Sequence, residues 1–152
     1  MPSKVLPVKH APQEEKNGCL AACAQMILAY LSIPSQQRQL NRLFGRTDMG
    51  ARFPHVTRLT QYKVQVTLQS GDEHKIIQAI NNGLPPVVFV ATGELTSYWQ
   101  ENVQHAVVIV GYDDTHFYLN DPAFADAPKR VAIDELMLAW IEFDYMYALI
   151  TR

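Results

Sequence analysis

Two cysteines are too few to frame a small fold with disulfides, and these two, Cys19 and Cys23, are poorly spaced for an unstrained bridge within one helix. They say nothing of an oxidising compartment. The 13 basic and 15 acidic residues leave a formal net charge of -2, so the basic surface that nucleic-acid binding needs is missing. No run approaches the roughly 18 uninterrupted apolar residues of a membrane helix. The amino terminus, Met1-Pro2-Ser3-Lys4-Val5-Leu6-Pro7, lacks the apolar core of a secretory signal. Internal repeats, low-complexity tracts and linker-like stretches are absent as well. These absences give the expectation of one domain over 1–152, cytoplasmic, with no nucleic-acid or membrane partner and an oligomeric state that the pattern does not fix. A hydrophobic content of 48% is enough to fill one core.

What is present begins with a cysteine. Residues 17–31, Asn-Gly-Cys-Leu-Ala-Ala-Cys-Ala-Gln-Met-Ile-Leu-Ala-Tyr-Leu, are rich in helix formers, with apolar residues recurring at Leu20, Cys23, Ala24, Ile27, Leu28 and Leu31. This predicts a buried helix. Asn17 and Gly18 interrupt the pattern, and Asn is a preferred N-cap, so Cys19 falls in or beside the first turn. There the unpaired backbone N–H groups and the positive end of the helix dipole favour thiolate over thiol. Cys19 is therefore the candidate nucleophile, while Cys23 points to the packed face and reads as an inert core residue.

A histidine answers it far downstream. The β-branched run Gln104-His105-Ala106-Val107-Val108-Ile109-Val110-Gly111-Tyr112, then Asp113-Asp114-Thr115, then His116-Phe117-Tyr118-Leu119-Asn120-Asp121-Pro122, predicts a hairpin. With the turn centred on Asp113, His105 faces Asp121, Val107 faces Leu119 and Ile109 faces Phe117, and such pairs share one side of the sheet. A slip of one residue puts Asn120 opposite His105 instead. A three-residue loop with a bulge favours Asp121, whose carboxylate would fix the imidazole tautomer and support its protonated form. Gln13 could donate its amide N–H to a developing oxyanion, together with the backbone N–H of Cys19. Tyr98, Trp99 and Leu95, in a loop just before the histidine strand, are candidate cleft residues; Gln104, and Gly18 and Leu20 beside the cysteine, complete the candidate substrate contacts. His10, His55, His74 and His116 have no evident partner and read as surface or structural.

Gln13, the helix-capping Cys19, the strand residue His105 and Asp121 on the next strand resemble the papain-like cysteine peptidase superfamily. Within it the local sequence is most similar to the leader peptidase domains of bacteriocin exporters, which cut after a double glycine. The stretches that carry the resemblance are 13–26, with Cys23 and Met26; 105–122, ending Asn120-Asp121-Pro122; and Leu84-Pro85-Pro86-Val87-Val88-Phe89-Val90. The resemblance implies a papain-like α+β fold, an amino-terminal helical half packed on a carboxy-terminal antiparallel sheet with the cleft between. It also implies Cys19 as nucleophile, His105 as base and acid, Asp121 as orienter, Gln13 in the oxyanion hole, a peptide or protein substrate and no cofactor or metal. Those domains usually carry an acidic residue before the cysteine and a glycine after it, where this chain has Gly18 and Leu20. They are also typically joined to membrane-spanning and ATP-binding domains, and the expectation here is a stand-alone domain.

The remaining pattern predicts helices over 35–44, capped by Ser35, over 53–61, over 73–82, capped by Asp72 and ended by Gly83, and over 134–141, started by Asp134. Strands are expected over 63–68, 86–91, 104–112, 116–120 and 144–150. The leading function is a thiol hydrolase that forms an acyl-enzyme on Cys19, with leader-peptide processing as its specific form. An acyltransferase using the same site is an alternative. So is a silent module that grips an extended peptide, against which the retention of all four residues argues. A metal or redox site from Cys19, Cys23 and His105 lacks a fourth ligand.

Overall fold

The computed structural model describes residues 3–152. Seven strands, β1 (Lys4–Val5), β2 (Gln65–Ser70), β3 (Val87–Ala91), β4 (Gln104–Tyr112), β5 (His116–Asn120), β6 (Lys129–Ala132) and β7 (Met146–Thr151), form one sheet. Its order is β2-β7-β3-β4-β5-β6, with β1 paired to the end of β4, and every pairing is antiparallel. The apolar runs of β3 and β4 are buried on both faces, as central strands must be, while β2 at one edge is polar and partly exposed.

Helices cover both faces. On one, α1 (Cys19–Tyr30) and α2 (Gln37–Leu43) pack with Ala106, Val108 and Val110 of β4 through Leu20, Ala24, Ile27 and Leu40. On the other, α3 (Glu73–Asn81) and α4 (Ile133–Ile141) meet Val107 and Ile109 through Ile76, Ile80, Leu136 and Trp140. The fold is thus α+β and papain-like, with the helix that carries Cys19 on the sheet, although the sheet is sheathed on two sides and draws β1 and β2 from the amino-terminal half.

Several local expectations are corrected. Asn17 does not cap α1: it sits at φ 62 and its side-chain amide donates to the Asp48 carbonyl at 2.7 Å, so Gly18 takes the cap position without a side-chain bond. Ser35 does not cap α2, which begins after an extended Gln36. Residues 53–61 wind as part of a 3-10 helix (Phe53–Tyr62), whose buried Phe53, Val56 and Leu59 recur every third residue, the period of that helix. Helix α4 starts one residue earlier than expected, at Ile133, leaving Asp134 and Glu135 in its first turn, where the dipole favours acids. Asp72 does cap α3, accepting from the Lys75 N–H at 2.8 Å. β1 and β6 escape the sequence reading because they are short and do not alternate. β1 can reach β4 only because Gly111 has no side chain: a Cβ there would stand 2.5 Å from the Lys4 carbonyl oxygen.

The β4–β5 register also differs from the expected one. The turn centres between Asp114 and Thr115 rather than on Asp113, with the Asp113 carboxylate accepting the Thr115 and His116 N–H groups at 2.9 Å each. Tyr112 therefore pairs with Phe117, and a bulge between Ile109 and Gly111 then brings Ile109 opposite Leu119. Without that bulge Asn120 would share the face of His105. With it, Asp121 does, because one extra residue on β4 inverts the alternation.

Candidate active site

Cys19 is the first residue of α1, half-buried, at the point where the backbone N–H groups of the helix are unpaired. The tight approach of the preceding turn needs Gly18, since a Cβ there would lie 2.9 Å from the Glu15 carbonyl oxygen. His105 enters from the start of β4, and its Nε2 meets Asp121 Oδ1 at 2.6 Å. That leaves Nδ1 free of Asp121, and the imidazole and the Cys19 thiol line the same cleft, near enough for each to shift the ionisation of the other. Sulfur, imidazole and carboxylate thus follow one another from α1 across the sheet.

Burial opposes every charge in this row, yet the charges support one another. Desolvation disfavours the Cys19 thiolate, but the His105 hydrogen bond and charge, with the Ala106 and Leu20 N–H groups, outweigh it and hold the thiol below its usual range. His105 is desolvated too, and its bonds to Asp121 and Cys19 nevertheless lift its pKa to about 9. Asp121, fully buried, is held below the ordinary carboxylate range against the cost of burial by His105, the Ala123 N–H and Trp99. Cys23 goes the other way: burial, then the charges of Cys19 and Asp121, push its thiol well up, so it stays neutral in the core.

Cys19 and His105 open on a cleft of about 240 Å³ that Gln13, Trp99, Gln104 and Phe89 also line. Gln13 is positioned by its backbone N–H, which donates to the Pro122 carbonyl at 2.8 Å, and its side-chain Nε2 gives one bond to the Glu15 carbonyl at 3.2 Å. Of the five expected substrate contacts, Trp99 and Gln104 line the cleft. Leu20 is 1% exposed within the core, Gly18 is buried under the first turn of α1, and Tyr98 turns behind the row toward Asp121. Leu95 is wholly buried as well. Among the cleft-wall residues that the sequence does not point to are Met49, Gly50, Ala51, Phe89, Val103 and Ala123. Nor does it point to the bonds that Tyr98 and Trp99 make to Asp121, although a phenol and an indole placed just before the histidine strand both need partners when buried. His10 and His55 are structural, tied to the Phe124 and Phe44 carbonyls at 2.7 and 2.8 Å. No group of three or more potential metal ligands occurs among the described residues. None of their helices is long and apolar enough to cross a membrane.

A helix-borne thiol facing a strand-borne imidazole on an antiparallel sheet defines the class of papain-like cysteine peptidases. Residues 5–148 match the model of the Peptidase_C39 like family, and the chain belongs to it. Three solved structures share the fold. A protein of Bacillus anthracis described as a C39-like peptidase is 16% identical, with TM-score 0.80 and 98% of each chain covered. A double glycine motif protease from an AMS/PCAT transporter, in complex with its leader peptide, is 18% identical, with TM-score 0.76 over 97% of this chain and 93% of that one. The peptidase domain of Streptococcus ComA, a bifunctional ABC transporter of quorum sensing, is 14% identical, with TM-score 0.78 over 95% and 98%. No curated protein matches the chain.

Proposed function

We propose that the chain hydrolyses a peptide bond through an acyl-enzyme on Cys19, and that residues 1–152 act as one peptidase domain. The observation that carries this reading is the convergence of Cys19 with the His105–Asp121 pair at one open cleft. The Cys19 thiolate attacks the substrate carbonyl carbon, and the oxyanion that forms takes hydrogen bonds from the Cys19 backbone N–H and the second amide hydrogen of Gln13. The His105 imidazolium gives its Nδ1 proton to the departing amine, leaving a thioester. Neutral His105 then takes a proton from water, whose oxygen attacks the thioester carbonyl and frees the acid and the thiolate. Asp121 stays ionised throughout and holds the ring in the tautomer that aims Nδ1 at sulfur.

Leader-like peptides are the substrate this reading favours. The cleft beside Cys19 has room for backbone and small side chains, and it shares Met49, Phe89 and Gln104 with a neighbouring pocket of about 540 Å³ that Phe53 and Phe143 also line. Small residues at the scissile bond suit the narrow cleft and a nearby apolar residue suits the neighbouring pocket, and the similar double glycine motif protease is in complex with its leader peptide. The test is a mass-resolved screen of peptides with paired glycines or paired leucines at the central position. The reading expects cleavage after the glycines, loss of cleavage in Cys19→Ala, and a trapped thioester on Cys19. Cleavage that survives Cys19→Ala overturns it.

A further inference from the structure

Asp121 is a buried anion whose acceptor sites are shared out completely. Its Oδ1 takes His105 Nε2 at 2.6 Å and the Ala123 N–H at 3.0 Å. Its Oδ2 takes the Tyr98 hydroxyl at 2.7 Å and the Trp99 indole N–H at 2.9 Å. Both Oδ2 donors are consecutive residues of the segment between β3 and β4, and neither lies on the hairpin that carries His105 and Asp121. That segment is itself fastened: Ser97 gives its N–H and hydroxyl to Glu135 of α4 at 3.2 and 2.6 Å. Tyr98 and Trp99 pack edge-on against Phe124 with centroids 5.2 and 5.3 Å away, and the Lys129 ammonium of β6 lies 5.5 Å from the Tyr98 ring. Trp99 also meets the His105 ring edge-on at 5.0 Å.

We propose that Tyr98 and Trp99 are positioning residues that clamp the Asp121 carboxylate, keeping it ionised and its Oδ1 aimed at His105. The inference rests on the reading of Cys19, His105 and Asp121 given above and adds two residues to it. A carboxylate without exposure to water is driven toward its neutral acid unless donors replace the lost hydration. Among the described residues four donors reach it, and two of them come from Tyr98 and Trp99. With both oxygens pinned, the carboxylate cannot rotate without breaking a bond to one donor set. The imidazole it orients is then held against the sulfur. The donors are neutral groups, and burial together with the Asp121 charge keeps the Tyr98 phenol protonated, so it remains a donor throughout the pH range of activity.

The test is the rate of Cys19 alkylation by iodoacetamide against pH, read by mass spectrometry, in the full chain. Four variants accompany it: Tyr98→Phe, Trp99→Phe, Asp121→Asn, and Tyr98→Phe combined with Asp121→Asn. Tyr98→Phe keeps the ring on Phe124 and removes only the hydroxyl. The clamp predicts that the midpoint at which alkylation rises moves up by a fraction of a pH unit, less than the roughly one unit that losing a hydrogen bond costs the charged group itself, because Cys19 feels the loss through His105. It also predicts that the hydroxyl has no further effect once Asp121 is Asn. Trp99→Phe gives the same upward move from the second donor and decides the matter should Tyr98→Phe not fold. Parent-like midpoints in the folded variants, beside a parent chain that labels at low pH, overturn the clamp alone. A parent chain with an ordinary thiol profile overturns the site reading and the clamp together.

Discussion

His105 and Asp121 touch at 2.6 Å without standing opposite one another in the sheet. The β4–β5 ladder pairs Ile109 with Leu119 and Val108 with Asn120, so Asp121 lies just past the last pair, across from the level of Val107. The bond is therefore a diagonal one, and the bulge after Ile109 decides which residue makes it. Two offsets combine: the turn falls later than an Asp113-centred loop, and the bulge takes one residue back. Their sum is an even shift from the expected register, which preserves the face of every side chain.

Asp121→Asn separates charge from shape. Asn keeps an acceptor near His105 Nε2 but removes the negative charge that helps lift the imidazole pKa to about 9. The expected result, read from the His105 ring signals by NMR titration, is a fall from that value toward the ordinary imidazole range of about 6.5.

Acid stability supplies a second check on Asp121. Its folded pKa is depressed, so its stabilising contribution is present above the unfolded carboxylate value of about 3.9 and is lost as pH falls through the lower folded value. Urea unfolding midpoints of the parent chain and Asp121→Asn should stay apart above about pH 4 and converge as pH falls further, through the lower folded pKa of Asp121, a range in which the Asn variant has no carboxylate to titrate at this position.

Turnover should be limited at high pH by His105. In the proposed mechanism the leaving amine takes the imidazolium proton, which is present below about 9 and lost above it. Peptide hydrolysis is expected to fall through that pH, and to fall on the acid side only where the depressed Cys19 thiolate is protonated. A rate that keeps climbing past pH 9 would contradict the assignment of His105 as acid.

Gln13→Ala should lower kcat by about a hundredfold to a thousandfold, the range for one oxyanion donor. Iodoacetamide alkylation of Cys19 should be unchanged in the same variant, because that reaction develops no oxyanion.

Cys23→Ala should leave Cys19 reactivity intact, and Cys23→Ser should destabilise the chain by about 1–3 kcal/mol in urea unfolding, since a hydroxyl would replace the thiol in a fully buried apolar site.

Much of this was legible in the chain. The helix periodicity around Cys19, the β-branched run led by His105 and the capping Asp72 are local signals, and each produced the element that its pattern implies. The cap at Gly18 was misread because Asn17 spends its amide on Asp48, a contact between residues distant in sequence. The same limit hid the cleft wall at Met49 to Ala51 and sent Leu20 into the core, since a helix start does not reveal which of its neighbours faces the sheet. The sequence presents Tyr98 and Trp99 as aromatics near a cleft. That their polar ends reach Asp121 depends on the path of the 92–103 segment, which no periodicity encodes.

The proposed ion pair of Cys19 and His105 is the centre of the account, and the pH profile of Cys19 alkylation in the parent chain and in His105→Ala tests it most directly. The account predicts rapid labelling below pH 7 in the parent, well under the ordinary thiol pKa of about 8.5, and its disappearance in the variant. A parent profile centred near 8.5 and unaltered by His105→Ala would contradict it.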